Sequence, residues 1–256
     1  MDEQKIKDEV RERYAAVARQ GSSCCGSGSE CCSPGSAQSV TLVDYGVLEA
    51  GEAERELHSS LGNLGLGCGL PTLFAGIQPG NIVLDLGSGA GVDVFLAAKA
   101  VGPEGRVIGV DMTPEMIARA WENAAKGGYG NVDFRLGEIE ALPVSDSSVD
   151  IVLSNCVINL APDKRKVFAE IFRVLKPGGR FSISDIVTYG PVPEAIRQDM
   201  ALWAGCSAGA LDREEYLHLI SETGFVEVQV NQLTEYDAMK GEDYGFASLT
   251  VEGRKG

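Results

Sequence analysis

The chain has 256 residues, 44% of them hydrophobic and 23% charged, which excludes a disordered, collagenous or fibrous protein and permits one sizeable core. Its 37 acidic and 22 basic side chains leave a net charge of −15, which repels nucleic acid and anionic lipid surfaces. No apolar run reaches the roughly 18–20 residues of a membrane span, and the charged first twenty residues lack an apolar signal core, so the sequence reads as cytoplasmic. In a reducing compartment the seven cysteines are expected to be free thiolates, suited to a soft metal, a metalloid or redox cycling rather than to structural disulfides. Two histidines, His58 and His218, leave few candidates for imidazole chemistry.

Ile6, Val10, Tyr14 and Val17 fall three or four apart and predict a helix over the first twenty residues. A Gly/Ser-rich stretch follows from Gly21 to Ser39, with no apolar face to bury; it is expected to be mobile and carries Cys24, Cys25, Cys31 and Cys32. Residues 40–78 read as loop-rich, with Gly62, Gly65, Gly67 and Gly69 clustered around Cys68. From Ile82 the pattern becomes regular. Strands are predicted over Ile82–Leu86, Arg106–Val110, Asn131–Leu136, Val149–Ser154 and Arg180–Val187. Helices separate them over Val92–Val101, from Thr113 (N-cap) and Pro114 (N1) to Lys126, and over Asp163–Leu175; a Lys176–Gly179 turn precedes the fifth strand. Nearly continuous apolar strands alternating with helices indicate an α/β, Rossmann-like doubly wound sheet. A mostly helical insertion (Pro193–Ala204, Asp212–Thr223) and two late strands (Phe225–Val230, Phe246–Glu252) complete the chain, which shows no internal repeat.

The turn Asp85-Leu86-Gly87-Ser88-Gly89-Ala90-Gly91 stands where a doubly wound sheet binds a nucleotide. Glycine lets the backbone turn tightly and lets a ligand press against it. An ordinary tight turn is the competing reading. Against it, Asp111 ends the second strand about 20 residues on, where a carboxylate accepts from ribose hydroxyls. Gly137-Glu138 follows the third strand, where a carboxylate can accept from an adenine amino group. The dinucleotide pattern GxGxxG fails, because Val92 stands at the third glycine position, so NAD is disfavoured.

These motifs, with Leu175-Lys176-Pro177-Gly178-Gly179-Arg180, resemble the class I S-adenosylmethionine-dependent methyltransferases over residues 80–187. The resemblance implies a seven-stranded sheet with a reversed last strand. It places S-adenosyl-L-methionine as co-substrate against Asp85, Gly87, Ser88, Gly89, Asp111, Met112, Gly137, Glu138, Ile139 and Asn155. Asp85 and the glycine turn would face its amino-acid part, and Asp111 and Met112 its ribose and adenine.

A methyl acceptor normally loses a proton to a general base, and the sequence offers no obvious one. It offers thiols instead: Cys156 directly after the fourth strand, Cys206 in the insertion that roofs the same edge, and Cys68 just before the first strand. Each alone reads equally well as a small buried hydrophobe. Zinc is a further alternative, although the CxxC-like spacing it usually takes is missing. Three thiols at one edge suit a thiophilic centre such as trivalent arsenic, whose lone pair attacks a methyl group without help from a base.

Over nearly its whole length the chain closely resembles the arsenite S-adenosylmethionine methyltransferases. The resemblance is carried by Arg13-Tyr14-Ala15, Cys24-Cys25, Asn63–Gly69, Asp85–Gly91, Asp111–Met116, Gly137–Glu140, Ser154–Leu160 and Ala204–Ala210. It departs at Leu70, where the family usually has Asn, and matches weakly over Val40–Ser60, where Tyr45 is the counterpart of a family tyrosine near the metalloid. The resemblance implies that Cys68, Cys156 and Cys206 hold As(III), the last two through later methylations. It further implies that an N-terminal cysteine, Cys32 or Cys24, forms a disulfide with Cys68 that thioredoxin or glutathione reduces. The expected organisation is an N-terminal helix and Cys-rich arm (1–39), a cofactor-binding domain (40–187) and an arsenic-binding region that completes the sheet (188–256). A monomer is expected. The competing functions are a small-molecule C- or O-methyltransferase and a non-catalytic metalloid-binding protein.

Overall fold

The computed structural model describes residues 2–20 and 68–256. Cys24, Cys25, Cys31, Cys32, Tyr45, Gly62, Gly65 and Gly67 lie outside the described residues, and so do the expected mobile arm and most of the loop-rich stretch. Helix α1 (Glu3–Gln20) buries Ile6, Val10, Ala15 and Ala18. A short helix α2 (Pro71–Phe74) precedes β1 (Ile82–Leu86), α3 (Val92–Val101), β2 (Arg106–Asp111), α4 (Pro114–Gly127), β3 (Val132–Leu136) and β4 (Val149–Asn155). Helix α5 (Lys164–Val174) leads into β5 (Leu175–Tyr189). Two one-turn helices, α6 (Glu194–Arg197) and α7 (Met200–Trp203), then α8 (Arg213–Glu222), β6 (Phe225–Glu235) and β7 (Gly245–Lys255) close the fold.

The seven strands form one sheet in the order β3-β2-β1-β4-β5-β7-β6. The first five are parallel, and β7 runs antiparallel between β5 and β6. Alternation along each strand separates two core layers. Val83, Val107 and Ile151 pack with Val94, Phe95 and Ala120 of α3 and α4. Leu84, Leu86, Ile108 and Val152 pack with Phe168 and Ile171 of α5 and Tyr216 of α8. Both sheet faces are thereby covered, which is why these strands read as continuous apolar runs.

Thr113 occupies the N-cap of α4 as expected, without a side-chain capping bond; its hydroxyl and amide both turn to Asp111. One local expectation is corrected. The Lys176–Gly179 turn is absorbed into the first residues of β5, where the pairing with β4 shifts register between Val149 and Ile151. Gly178, at φ +74°, makes this kink possible within a strand.

Candidate active site

Parallel strands deliver their carboxyl ends to one sheet edge, and β1, β2 and β4 surround a cavity there of about 1140 Å³ including its mouth. Its lining contains all ten residues that the sequence assigned to the cofactor: Asp85, Gly87, Ser88, Gly89, Asp111, Met112, Gly137, Glu138, Ile139 and Asn155. The turn after β1 requires its glycines. Gly87 sits at φ +63° with the Val157 side chain where a Cβ would lie. Gly91 is the left-handed N-cap of α3 at φ +98°, packed against the Phe95 ring.

Three carboxylates converge on this cavity. Burial, Asp93 and Asp111 hold Asp85 well above the ordinary carboxylate range. Burial likewise raises Asp93 to about 6, against a hydrogen bond from Asn155. Asp111 is raised by burial, while amide bonds from Thr113 (2.8 Å, to Oδ1) and Gly89 (3.0 Å, to Oδ2) favour its ionised form. Carboxylates whose ionisation burial opposes in this way are stabilised in their charged form by a cation placed beside them. Ser88 Oγ and Asp93 Oδ1 are buried with no hydrogen-bond partner, so a ligand with donors is expected here. An amino-acid ammonium and ribose hydroxyls match that demand.

Sequence reasoning missed the wall that α1 provides. Lys7, Val10 and Tyr14 line the cavity, on the helical stripe that signals burial but not what is buried against it. Lys7 Nζ donates to Glu138 (2.8 Å) and Glu140 (2.5 Å). Burial pulls the Lys7 ammonium down, and these two partners more than offset it. Glu138, assigned to an adenine amino group, therefore also anchors α1.

Asn155 links the cofactor edge to the cysteines. Its Oδ1 accepts from the Cys68 amide (3.0 Å), and its Nδ2 donates to the Gly69 carbonyl (2.9 Å) and Asp93 (3.1 Å). Cys156 follows β4 and donates its amide to the Ser184 carbonyl (2.8 Å). Cys68 and Cys156, with Cα atoms 5.7 Å apart, are joined by a disulfide; free thiols were expected for both. The two meet because Asn155 and Ser248, whose hydroxyl donates to the Cys68 carbonyl at 2.5 Å, draw the Cys68 loop onto the ends of β4 and β7. The resemblance pairs Cys68 with an N-terminal cysteine instead; here its partner is Cys156, while Cys24 and Cys32 lie outside the described residues.

Cys206, beyond α7, is a buried free thiol whose Sγ donates to the Cys156 carbonyl (2.7 Å). The structure thus brings all three cysteines together, two covalently and the third against the backbone of one of them. Burial, then Asp185, pushes the Cys206 thiol far above its ordinary range, against a hydrogen bond from Tyr14. Cys156 (φ +56°) and Cys206 (φ +63°) both adopt the left-handed backbone that L residues rarely take. Such strain persists only where the surroundings over-determine it, and it concentrates at functional sites. Asp185, unremarked in the sequence, lies beneath the pair: its carboxylate and the sulfurs of Cys68 and Cys156 all fall within 4.8 Å of one another.

A family model described as a methyltransferase domain matches residues 77–224. An arsenite methyltransferase of Halobacterium salinarum is 45% identical over 99% of this chain and 68% of its own length. The arsenite methyltransferase of Aquipseudomonas alcaligenes is 42% identical over 67% of this chain and 51% of its own length, so the chain spans about half of that relative. Among solved structures, an arsenic(III) S-adenosylmethionine methyltransferase from Chlamydomonas reinhardtii superposes with a TM-score of 0.67 at 37% identity, covering 80% of this chain and 70% of that one. Glycine turn, cationophilic cavity, cysteine cluster and relatives agree: this chain belongs to the arsenite methyltransferase family and is built on its methyltransferase domain.

Proposed function

We propose that this chain transfers methyl groups from S-adenosyl-L-methionine to trivalent arsenic held by cysteine thiolates, a reaction that detoxifies or volatilises arsenic. The observation that carries the proposal is the position of Cys156: it lines the cofactor cavity, binds Cys68 and receives the Cys206 thiol on its carbonyl. When bound, the cofactor supplies an electrophilic methyl on a sulfonium. Asp85 and Asp93 would face its positive charges and Asp111 its ribose, and the Gly87–Gly91 turn lets it lie against the backbone. Reduced Cys68, Cys156 and Cys206 present arsenic to that edge, and the arsenic lone pair serves as nucleophile, so the transfer takes no proton from the protein. The Cys68–Cys156 bond must be opened first, which gives a thiol reductant such as thioredoxin or glutathione its place. The N-terminal cysteine, Cys32 or Cys24, is proposed to take part in that redox cycling. The protein is proposed to act as a cytoplasmic monomer.

Incubation with arsenite, a thiol reductant and methyl-labelled S-adenosyl-L-methionine, followed by product speciation, tests the reading. Labelled methylarsenicals and S-adenosylhomocysteine are expected, with turnover lost in Cys156→Ser and Cys206→Ser. Wild-type rates in both variants overturn it. Labelling of an apolar carbon or oxygen acceptor, indifferent to thiol alkylation, would favour the alternative methyltransferase class.

A further inference from the structure

Helix α1 lies between the cofactor cavity and the cysteine cluster, and no backbone hydrogen bond joins it to the rest of the described residues. Side chains hold it. Ile6 and Val10 pack into the apolar cluster that contains Cys68, Cys156 and Cys206, while Lys7, Val10 and Tyr14 line the cavity. Tyr14 belongs to both places: it lines the cavity, and its hydroxyl donates to Cys206, whose Sγ in turn donates to the Cys156 carbonyl at 2.7 Å. The preceding residue ties the same turn of helix to α7, Arg13 Nη1 donating to the Ala201 carbonyl at 3.0 Å. Nothing in the methyl transfer uses the Tyr14 hydroxyl. One side chain that walls one ligand site and touches a ligand-holding atom of the other is a direct physical link between them.

We infer that Tyr14 is a positioning residue that couples the two sites: its hydroxyl on Cys206 holds α1 docked over the cavity, so that the cofactor and arsenic each bind more tightly when the other is present. Each ligand has its own reason to favour the docked helix. Val10 and Tyr14 wall the cavity only while α1 is docked, so a ligand in the cavity favours that position. Arsenic acts at the other end of Tyr14. When arsenite joins Cys206, an S–H and an As–O bond break, an As–S bond forms, and the proton leaves with the departing hydroxide as water. The sulfur that Tyr14 faces thereby changes from a thiol to a coordinated thiolate, and a hydrogen bond to a charged acceptor is stronger than one to a neutral acceptor. Whichever ligand arrives first fixes the helix, and the second meets it in place. Linkage makes the effect reciprocal, and the side-chain ties of α1 confine the movement to one helix without disturbing the sheet.

The inference rests on the arsenic reading above, and the test separates the two. The full chain is reduced with a phosphine and freed of reductant. S-adenosylhomocysteine, which has no methyl group to transfer, is then titrated calorimetrically without arsenite and with saturating arsenite, and bound arsenic is measured separately. Failure of the wild-type protein to retain arsenite overturns the functional reading itself. With arsenite bound, wild-type affinity for S-adenosylhomocysteine is expected to rise about tenfold, an ordinary size for coupling between sites. Tyr14→Phe keeps the ring and loses only the hydroxyl, and its coupling factor is expected to fall to about twofold or less. The factor is a ratio, so a change in affinity for either ligand alone does not enter it. Wild-type protein that binds arsenite with no change in affinity for S-adenosylhomocysteine overturns the inference. So does a Tyr14→Phe protein that binds more weakly yet keeps the wild-type factor, the mark of a merely structural role. Should Tyr14→Phe fail to fold, hydrogen exchange in wild-type α1 decides: slower exchange with arsenite alone supports the coupling, and exchange that arsenite leaves unchanged overturns it.

Discussion

Asp93 stands where charge matters most, in the first turn of α3, with one carboxylate oxygen held by Asn155 at 3.1 Å and the other buried without a partner. Its protonation midpoint of about 6 is set by burial, so the ligand-free site is neutral at this residue below that pH and anionic above it. A cationic ligand binds the ionised form. Lowering the pH through about 6 therefore makes binding compete with a proton, and the affinity for S-adenosyl-L-methionine is expected to fall by up to about tenfold per pH unit. Calorimetric titration between about pH 8 and pH 5 checks this against the reference values of carboxylates. Asp93→Asn should flatten the dependence, and S-adenosylhomocysteine, which lacks the sulfonium charge, should show a shallower one. Most of this site was legible residue by residue, because Asp85, Gly87, Gly89 and Asp111 follow from a local strand-turn-helix pattern. Asp93 and Asp185 were not: each is defined by what folds against it from elsewhere, at sequence distances that periodicity does not register.

At the scale of elements, α1 behaves as a wall rather than as an appendage. Its apolar stripe is sealed by Ile6 and Val10, and its polar side is pinned by Lys7 to Glu138 and Glu140, by Arg19 to Glu115, and by Arg13 Nη1 to the Ala201 carbonyl at 3.0 Å. The first two ties reach the loop after β3 and the third reaches α4, whereas Arg13 reaches α7, close to Cys206; one helix spans the cavity and the cysteine cluster. Glu140 is only 8% exposed, so Lys7→Ala leaves a carboxylate poorly solvated and costs about 2 kcal/mol. Hydrogen exchange in α1 is expected to accelerate about thirtyfold while the central strands keep their protection. Unchanged exchange in α1 would show that the apolar stripe alone holds the helix. The helix itself was legible from its stripe of Ile6, Val10 and Tyr14, and its partners were not, since an amphipathic pattern fixes which face is buried without naming the surface that covers it.

For the whole molecule, a charge of −15 on a single compact sheet is a standing repulsion, and nearly all the ion pairs among the described residues are at least partly exposed. Exposed pairs contribute little, so screening them loses less than screening the net repulsion gains. The thermal midpoint is expected to rise between about 0.01 M and about 0.5 M sodium chloride, the range over which the Debye length shrinks from about 30 Å to a few Å. A midpoint that falls with salt would mean that the ion pairs dominate. At this scale the doubly wound α/β class was legible as well, since alternating strands and helices leave few topologies for a parallel sheet. The disulfide between Cys68 and Cys156 escaped because composition speaks for the compartment and not for two loops drawn together by Asn155 and Ser248.

The place of β7 between β5 and β6 has a bearing on how the chain is made. Both neighbours leave the ribosome before the strand that joins them, so β5 emerges with one edge open and β6 with no partner at all. Until Gly245–Lys255 follows, Val187 and Phe225 lack the cover that Ala247, Leu249 and Val251 later supply. The nascent chain therefore passes through an interval with unpaired strand edges and an unfinished core, the condition in which a chaperone or a second nascent chain finds its opening.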